Sequence, residues 1–281
     1  MAPRIQKIYT ENSTFQLIET LRRNREKRHR QNAFFVEGVR PINQALAHGW
    51  QIAAFAYAFD KPLSDWAQHI LRDSTAETHY ALPAALLAKL SLKNEPSELL
   101  AVVKMAADDL DRIPIRDQML IVLFDRPASH GNLGSIIRSC DALRADGLVI
   151  TGHAVDLYDP ETISATTGSL FALPVVRQSG LGELRPWFDR IRLQLGVFQL
   201  VGTSEDASET IDQHDFRGPT LLALGNETWG LSSAYQHACD VLVKIPMSGS
   251  ASSLNVANAA SIMLYEIDRQ RRTRNVSLPS F

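Results

Sequence analysis

Apolar residues in the second half of the chain form short unbroken runs, separated by stretches with helical spacing. Residues 119–124 (MLIVLF) are apolar throughout, which is typical of a strand buried on both faces of a parallel sheet. Similar runs occupy residues 148–151, 175–176, 197–201, 220–224 and 241–245, and helical patterns occupy 135–143, 160–170, 181–193 and 232–239. This alternation predicts an α/β fold, a parallel sheet with helices on both faces.

The first part of the chain predicts a smaller α/β domain. Residues 34–38, 51–59, 78–81 and 99–103 favour strands, and residues 39–47, 65–71 and 84–90 favour helices. Residues 1–31 are polar and basic and favour one helix. A polar, Asp-rich stretch at 106–118 is typical of a linker. We therefore predict three parts: a basic segment at 1–31, a small α/β domain at 32–106 and a larger α/β domain at 118–272.

The composition fits a soluble globular protein, with 45% apolar and 21% charged residues among 281. No uncharged apolar run of about 18 residues occurs, so we expect no membrane span. The first residues lack the apolar core of a secretory signal, and we expect a cytoplasmic protein. The two cysteines, Cys140 and Cys239, are expected to be buried thiols. Neither spacing nor residue type indicates a metal site.

Charge is distributed unevenly, although the formal net charge is only −2. One basic cluster near the start consists of Arg22, Arg23, Arg25, Lys27, Arg28 and Arg30. A second cluster near the end consists of Arg269, Arg271, Arg272 and Arg274. Such clusters occur on solvated helix faces and also in phosphate-binding patches, and composition alone supports the two interpretations about equally.

Three segments rich in small and polar residues follow predicted strands: HGNLGSIIR at 130–138, GNETWGL at 225–231 and IPMSGSASSLNVA at 245–257. In parallel α/β sheets, ligands bind beyond the carboxyl ends of the strands. The first segment has neither the three spaced glycines of a dinucleotide-binding loop nor the Gly-Lys-Ser/Thr of a phosphate loop. The three segments together, in this order, indicate a ligand site.

These segments resemble the motifs of the SpoU/TrmH family of RNA ribose 2′-O-methyltransferases, in the SPOUT superfamily. The first motif resembles Asn132-x-Gly134-x-x-x-Arg138, the second Gly225-Asn226-Glu227-x-x-Gly230, and the third residues 245–249 with 253–257. The first domain resembles the family's RNA-binding module through residues 35–38 and 90–103.

The resemblance implies a C-terminal trefoil knot and S-adenosylmethionine as cofactor. Backbone groups of Gly225, Ile245 and Leu254 would hold the cofactor, with Leu224, Asn226 and Met247 beside them. It also implies a homodimer whose active site lies near the subunit interface. The first domain and the basic segment at 22–30 would bind the RNA.

The chemistry of the motif residues fits methyl transfer to a hydroxyl group, which requires no metal. Arg138 is the implied activator; because a guanidinium stays protonated, we expect it to hold a phosphate or stabilise the developing alkoxide. Asn132 and Asn255 could fix the ribose and the loops, or simply cap helices. Glu227 could orient Arg138, bond a ribose hydroxyl or act structurally.

Two further positions complete the site predictions. We expect Trp229 to be a packing residue rather than a base-stacking platform. His130 stands where the family usually has Pro, and we expect no role for it.

One departure from the family concerns charge. Glu161 and Ser164 stand where relatives often carry Lys and Arg, which removes positive charge near the expected RNA path. The predicted function is S-adenosylmethionine-dependent methylation of a ribose 2′-hydroxyl in rRNA or tRNA. The alternatives are a catalytically silent RNA-binding or assembly protein, which the intact motif residues disfavour, and a knotted methyltransferase that acts on a base.

Overall fold

The computed structural model describes residues 3–274, except for the side chains of residues 273 and 274. Within this range the strands are β1 (Arg4–Lys7), β2 (Ala33–Glu37), β3 (Ile52–Ala58), β4 (Thr78–Leu82), β5 (Leu99–Lys104), β6 (Leu120–Asp125), β7 (Gly147–Thr151), β8 (Val175–Gln178), β9 (Gln199–Thr203), β10 (Glu209–Thr210), β11 (Thr220–Leu224) and β12 (Val241–Lys244). The α-helices are α1 (Ser13–Arg23), α2 (Arg25–Gln31), α3 (Val39–Ala47), α4 (Asp65–Asp73), α5 (Ala84–Leu90), α6 (His130–Ala142), α7 (Pro160–Thr166), α8 (Ser169–Ala172), α9 (Leu181–Leu195), α10 (Ser233–Ala238) and α11 (Val256–Arg274). None of the helices in this range is long and apolar enough to span a membrane.

The chain divides into two compact units. The first contains the described residues up to Ala106 together with Asp156–Ala172, and the second contains Ala107–Val155 and the described residues from Leu173 onward. Residues 156–172, which fall within the predicted larger domain at 118–272, pack within the first unit.

Aromatic packing explains why this segment joins the first unit. The ring of Tyr158 lies 4.6 Å from that of Phe34, and the ring of Phe171 lies 5.2 Å from that of Trp50, centroid to centroid. The indole Nε1 of Trp50 also donates to the backbone oxygen of Phe171 at 2.9 Å. These rings, of which only Trp50 is half-buried and the others are buried, attach α8 and the loop before α7 to β2 and α3.

The first unit contains a mixed five-stranded sheet in the order β1-β4-β3-β5-β2. The strands β1, β4 and β3 are parallel, and β5 runs antiparallel to β3 and β2. The prediction of one polar helix over residues 1–31 is wrong, because these residues form β1, α1 and α2. Helix α1 buries Phe15, Ile18 and Leu21 in the core of this unit, at spacings of three that place them on one helix face.

The second unit contains a fully parallel seven-stranded sheet in the order β10-β12-β9-β11-β6-β7-β8. On one face Ile121 and Leu123 pack with Leu184 and Phe188 of α9. Side chains alternate along a strand, so the buried residues between them face the other layer, where α6 contacts α11. The predicted fold class, a parallel sheet with helices on both faces, is confirmed; the trefoil knot stays a prediction.

Two predicted helices differ in their limits. Helix α6 begins at His130 rather than at residue 135, because the hydroxyl of Ser129 caps it by accepting from the backbone nitrogen of Asn132 at 3.3 Å. The helix predicted over 160–170 begins as expected at Pro160, with Asp159 as its cap, but ends at Thr166. Thr167 and Gly168 have positive φ angles of 51° and 102°, and α8 starts only after them.

Both cysteines are reduced in the structure, as expected from composition. Cys140 is fully buried, and burial raises the pKa of its thiol. Cys239 is only partly buried, and burial raises its pKa to about 12. Neither thiol is therefore activated as a nucleophile.

Candidate active site

A cleft lies at the carboxyl edge of the sheet in the second unit, where the adjacent strands β12, β9 and β11 end. It has a volume of about 930 Å³. Its lining comes from the ends of these three strands, the turns after them, α10 and the start of α11: Thr203 to Asp206, Gly225 to Leu231, Gln236, Val243 to Met247, Ser252 to Val256, Ala259 and Met263. Because parallel strands end at the same edge, segments far apart in sequence meet in one cleft.

The turn after β11 has a tightly determined shape. A Cβ atom at Gly225 would lie 2.0 Å from the backbone nitrogen of Leu231 and 2.1 Å from the carbonyl carbon of Gly230. The backbones of Asn226 and Gly230 exchange two hydrogen bonds, of 3.0 and 2.9 Å. The side-chain oxygen of Asn226 accepts from the backbone nitrogens of Thr228 and Trp229. Only glycine at position 225 allows the chain to fold back this closely.

The carboxylate of Glu227 joins this turn to the segment before α6. One oxygen accepts from the backbone nitrogen of Ala128 at 2.9 Å, and the other from that of Ser129 at 3.0 Å. The second oxygen also accepts from the side-chain amide of Asn132 at 3.2 Å. Glu227 makes no hydrogen bond to Arg138 within the described residues. The structure therefore favours the structural role among those predicted for Glu227.

Asn132 and Asn255 extend this connection to the third motif. Nδ2 of Asn255 donates to Oδ1 of Asn132 at 3.1 Å, while Nδ2 of Asn132 donates to Glu227. Oδ1 of Asn255 accepts from the backbone nitrogens of Ala257 and Asn258, which caps α11. One chain of hydrogen bonds thus links residues of all three predicted motifs.

Arg138 lies on α6, outside this chain of hydrogen bonds. Its side chain is exposed and does not line the cleft. Within the described residues its guanidinium has no hydrogen-bond or ion-pair partner. The neighbouring Ser139 contacts Ser261 of α11, hydroxyl to hydroxyl, at 2.8 Å. The guanidinium of Arg138 therefore has all its hydrogen-bond donors available for another molecule.

The comparisons with known proteins agree with this geometry. The SpoU rRNA methylase family matches residues 119–265, and the SpoU L30e-like domain matches residues 12–101. The chain belongs to the SpoU methylase family.

Its relatives share both the sequence and the fold over nearly the whole chain. It is 50% identical over 270 residues to the 23S rRNA (uridine(2479)-2′-O)-methyltransferase of Streptomyces viridochromogenes, covering 96% of this chain and 94% of that protein. The structure of the SpoU methyltransferase AviRb from Streptomyces viridochromogenes with AdoMet matches with a TM-score of 0.88 and 51% identity, over 93% of this chain and 99% of that one. An AdoMet-bound rRNA methyltransferase from Sinorhizobium meliloti matches with a TM-score of 0.84 and 26% identity, over 94% and 98% of the two chains.

Five of the six residues that the SpoU resemblance implied for cofactor binding line the cleft: Gly225, Asn226, Ile245, Met247 and Leu254. Leu224 does not. It is the last residue of β11, and its side chain is buried within the sheet. The cofactor contacts of all six residues stay predictions.

Sequence reasoning missed two parts of this SpoU site. Thr203 to Asp206, after β9, line the cleft; their position after a strand was the available signal, but the segment carries no motif. The second part is Arg126, in the left-handed region with φ 55°, which donates to Asp125 and to the backbone oxygen of Gly230. This residue supports the turn after β11 from the end of β6.

The exposure of Trp229 corrects another prediction. Its side chain is 79% exposed at the cleft, so it is not the packing residue that was expected. His130 opens α6 and does not line the cleft.

The first basic cluster is only partly available to RNA. Arg28 is 1% exposed and its guanidinium forms ion pairs with Asp156 at 2.7 Å and Asp159 at 2.9 Å, so its predicted RNA contact is wrong. Arg22 donates to the backbone oxygens of Lys89 and Ser91, so its side chain also has a structural role. The exposed members are Arg23, Arg25, Lys27 and Arg30.

The second basic cluster serves mainly structural roles. Arg271 donates to four backbone oxygens, those of Phe216, Gln118, Met119 and Gly218, and burial lowers its pKa to about 10. Arg269 pairs with Glu266, and Arg272 pairs with Asp268. Among the described residues, no group of three or more His, Cys, Asp or Glu side chains could hold a metal ion.

Proposed function

We propose that this protein transfers the methyl group of S-adenosylmethionine to the 2′-hydroxyl of a uridine ribose in 23S rRNA. The observation that carries the proposal is the cleft lined by the second and third motif segments, to which the hydrogen bonds of Asn132 with Glu227 and Asn255 join the first segment. The choice of uridine and of 23S rRNA is supported by the Streptomyces relative, which is 50% identical over 96% of this chain.

The cleft fits the proposed cofactor in size and chemistry. Its volume of about 930 Å³ lies within the range of small-molecule sites. Apolar side chains such as Met247, Leu254 and Met263 line it together with the backbone of the turns after β11 and β12. Gly225, Ile245 and Leu254 would hold the cofactor, which supplies a methyl group bound to a positively charged sulfur.

The residues of this chain then have to position the ribose and favour loss of its proton. Alignment of a bound hydroxyl with the methyl group can account for several kcal/mol of the barrier. Arg138 cannot accept the proton, since a guanidinium stays charged, so the proton passes to solvent water. Arg138 instead stabilises the alkoxide that develops on the 2′-oxygen, or holds the neighbouring phosphate, through charge-assisted hydrogen bonds.

The position of Arg138 supports a homodimer. The side chain is exposed on α6 and does not line the cleft of its own chain. In a two-fold symmetric dimer, the same surface patch of both copies forms the interface, so Arg138 of one copy can complete the cleft of the other. We therefore place the complete active site at the interface of two copies.

The exposed side chain of Trp229 is a candidate for contact with the RNA in the same proposal. Its exposed indole follows Glu227 by two residues in a turn that is held by backbone and side-chain hydrogen bonds. Exposed aromatic rings at RNA-binding sites stack on unpaired bases. We assign Trp229 to the base of the methylated nucleotide or its neighbour.

The direct test is transfer of a labelled methyl group to 23S rRNA transcribed in vitro. We expect incorporation at one site, and nuclease digestion should yield a uridine methylated on the ribose. A methyl group on the base would contradict the proposal. Absence of incorporation into any rRNA or tRNA, with cofactor binding intact, would instead favour a silent RNA-binding protein.

A further inference from the structure

The first unit has a second edge at which parallel strands end together. The strands β1, β4 and β3 are neighbours in this order, and their carboxyl ends continue into hydrogen bonds beyond the assigned strands. The backbone nitrogen of Ile8 donates to the oxygen of Ala81, and that of Phe59 donates to the oxygen of Leu82, both at 2.9 Å. The residues that follow β1 and β3 therefore lie on either side of the end of β4.

Two exposed aromatic rings lie at this edge. Tyr9 is 64% exposed and Phe59 is 40% exposed. Their ring centroids are 5.8 Å apart with an angle of 64° between the ring planes, and the Nζ atom of Lys7 lies 5.8 Å from the centroid of Phe59. Ile5, Lys7 and Tyr9 alternate along the extended chain and so share one side of the sheet. We call the surface of Ile5, Lys7, Tyr9 and Phe59 the β1 face.

The β1 face is presented by a fixed strand. Ile8, between Lys7 and Tyr9, is fully buried and packs in the same core as Phe15 and Leu82. The exposure of the neighbouring aromatic rings is therefore a property of the folded unit, because the backbone that carries them is anchored on both sides.

One cationic group lies close to the rings, the ammonium group of Lys7 at 5.8 Å from the centroid of Phe59. Lys61, two residues after Phe59 in the sequence, is also exposed. Of the nearby carboxylates, that of Asp60 accepts from the backbone nitrogen of Ala84, and that of Glu11 pairs with Lys89. Lys7 therefore offers a positive charge beside the rings that could hold one phosphate.

We infer that the β1 face binds an unpaired stretch of the substrate RNA, with bases stacked on Tyr9 and Phe59 and a phosphate held by Lys7. This inference rests on the proposed function. Unpaired bases offer flat faces that aromatic side chains on a sheet can stack against, whatever the sequence. A paired duplex hides those faces, so the chemistry of the surface selects single-stranded RNA.

The β1 face also adds to what the family match covers. The SpoU L30e-like domain match begins at residue 12, whereas Ile5, Lys7 and Tyr9 precede it. Only Phe59 lies inside the matched range. The strand β1 therefore extends the sheet of this domain and provides most of the proposed RNA contact.

The test compares a single-stranded oligouridine RNA with a duplex RNA of the same length, by fluorescence anisotropy on the full chain. We expect the variant Y9A/F59A to bind the single strand at least about tenfold more weakly and the duplex as the wild type does. The conservative variant Tyr9→Phe should bind like the wild type. Leu193→Ala, at an exposed apolar position of the second unit, is the matched control and should change neither affinity.

Salt dependence and cross-linking test the same surface separately. Lys7→Gln should lower the slope of log affinity against log salt by about 0.7, the value for one phosphate contact on a single strand. Light-induced cross-links from 5-iodouridine RNA should map to Tyr9 or Phe59. Unchanged single-strand affinity in Y9A/F59A, or an equal loss with the duplex, would overturn the inference and leave the surface to a protein partner.

Methyl transfer separates this inference from the proposed function. At saturating 23S rRNA, Y9A/F59A should retain the kcat of the wild type and show a raised KM. If the wild type methylates rRNA and the variant keeps its KM, only the inference fails. If the wild type transfers no methyl group but binds single strands through the β1 face, only the proposed function fails.

Discussion

Gly225 shows how one missing side chain shapes the candidate site. The backbones of Gly230 and Leu231 occupy the space where a Cβ atom would stand, and two hydrogen bonds with Asn226 hold the backbone of Gly230 in place. The same turn carries Glu227, which reaches the start of α6. A change at Gly225 therefore affects both the cleft and its connection to the first motif.

We predict that Gly225→Ala lowers the free energy of unfolding by about 1–3 kcal/mol, as overpacking does, and abolishes measurable cofactor binding. Urea denaturation and calorimetric titration with S-adenosylmethionine would measure the two effects. Gly249→Ala is the matched control, because a Cβ atom there meets nothing within 4 Å. If the two variants behave alike, the turn is more adaptable than its contacts indicate.

Arg138 allows a prediction that separates chemistry from binding. Because its guanidinium does not line the cleft and forms no hydrogen bond or ion pair within the described residues, Arg138→Ala should leave cofactor affinity and stability unchanged. The rate of methyl transfer should fall by about 10²–10³-fold, the effect of removing one donor that stabilises a developing negative charge. Single-turnover kinetics with titration calorimetry would measure both. A comparable loss of cofactor affinity would show that Arg138 has been assigned the wrong role.

At the scale of elements, α2 is attached to the segment 156–159 by a buried charge. Arg28 pairs with Asp156 and Asp159, and it also donates to the backbone oxygens of Leu21 and Arg22 at the end of α1. Asp159 in turn caps α7 through the backbone nitrogen of Glu161. One guanidinium thus joins three helical elements of the first unit.

We predict that Arg28→Met destabilises the protein by about 3–5 kcal/mol, because it leaves the buried carboxylate of Asp156 without its partner. Lys27→Met, at the exposed neighbouring position, should change stability by less than about 0.5 kcal/mol. Urea denaturation of both variants measures the difference. Equal stabilities would mean that water replaces the guanidinium at Asp156.

The elements that the sequence pattern predicted well are those with strong local signals. The apolar run at 119–124 predicted β6, which spans Leu120–Asp125, and the Asp159-Pro160 pair opens α7 as predicted. Residues 1–31 were misjudged because their charged residues mask a regular apolar spacing, that of Phe15, Ile18 and Leu21. The placement of residues 156–172 depends on Phe34 and Trp50, which are distant in sequence, so no local pattern could show it.

The candidate site was predictable to a similar degree. The motifs identified Asn132, Glu227 and Asn255, but the direction of their hydrogen bonds depends on the packing of α6 and α11. In the sequence, Arg28 cannot be told apart from its exposed neighbours. Its carboxylate partners are distant in the chain, so no local pattern shows that Arg28 is buried. The turn after β9 lacks a motif, and only the strand order places it beside β11 and β12.

At the scale of the whole molecule, our proposal places the complete active site between two chains. The cleft holds Gly225, Ile245 and Leu254, whereas Arg138 stands outside it. A dimer with two-fold symmetry would contain two equivalent sites, each with the cleft of one copy and the arginine of the other. Mixing two inactive variants that lack different parts of the site should then restore methyl-transfer activity.

We predict that mixing Arg138→Ala with Leu254→Glu restores methyl transfer, although each variant alone is inactive. Leu254→Glu places a charge in the cleft, and Leu254 is exposed enough for the chain to fold. In a mixed dimer, the intact cleft of the Arg138→Ala chain meets the intact arginine of the other chain, and the second site lacks both parts. After random exchange at equal amounts, activity should reach roughly a quarter of the wild-type value, since half of the dimers are mixed and each has one working site. Exchange is confirmed by affinity tags of two kinds. If each arginine serves its own cleft, tagged mixed dimers will form and stay inactive, because neither chain then has a complete site.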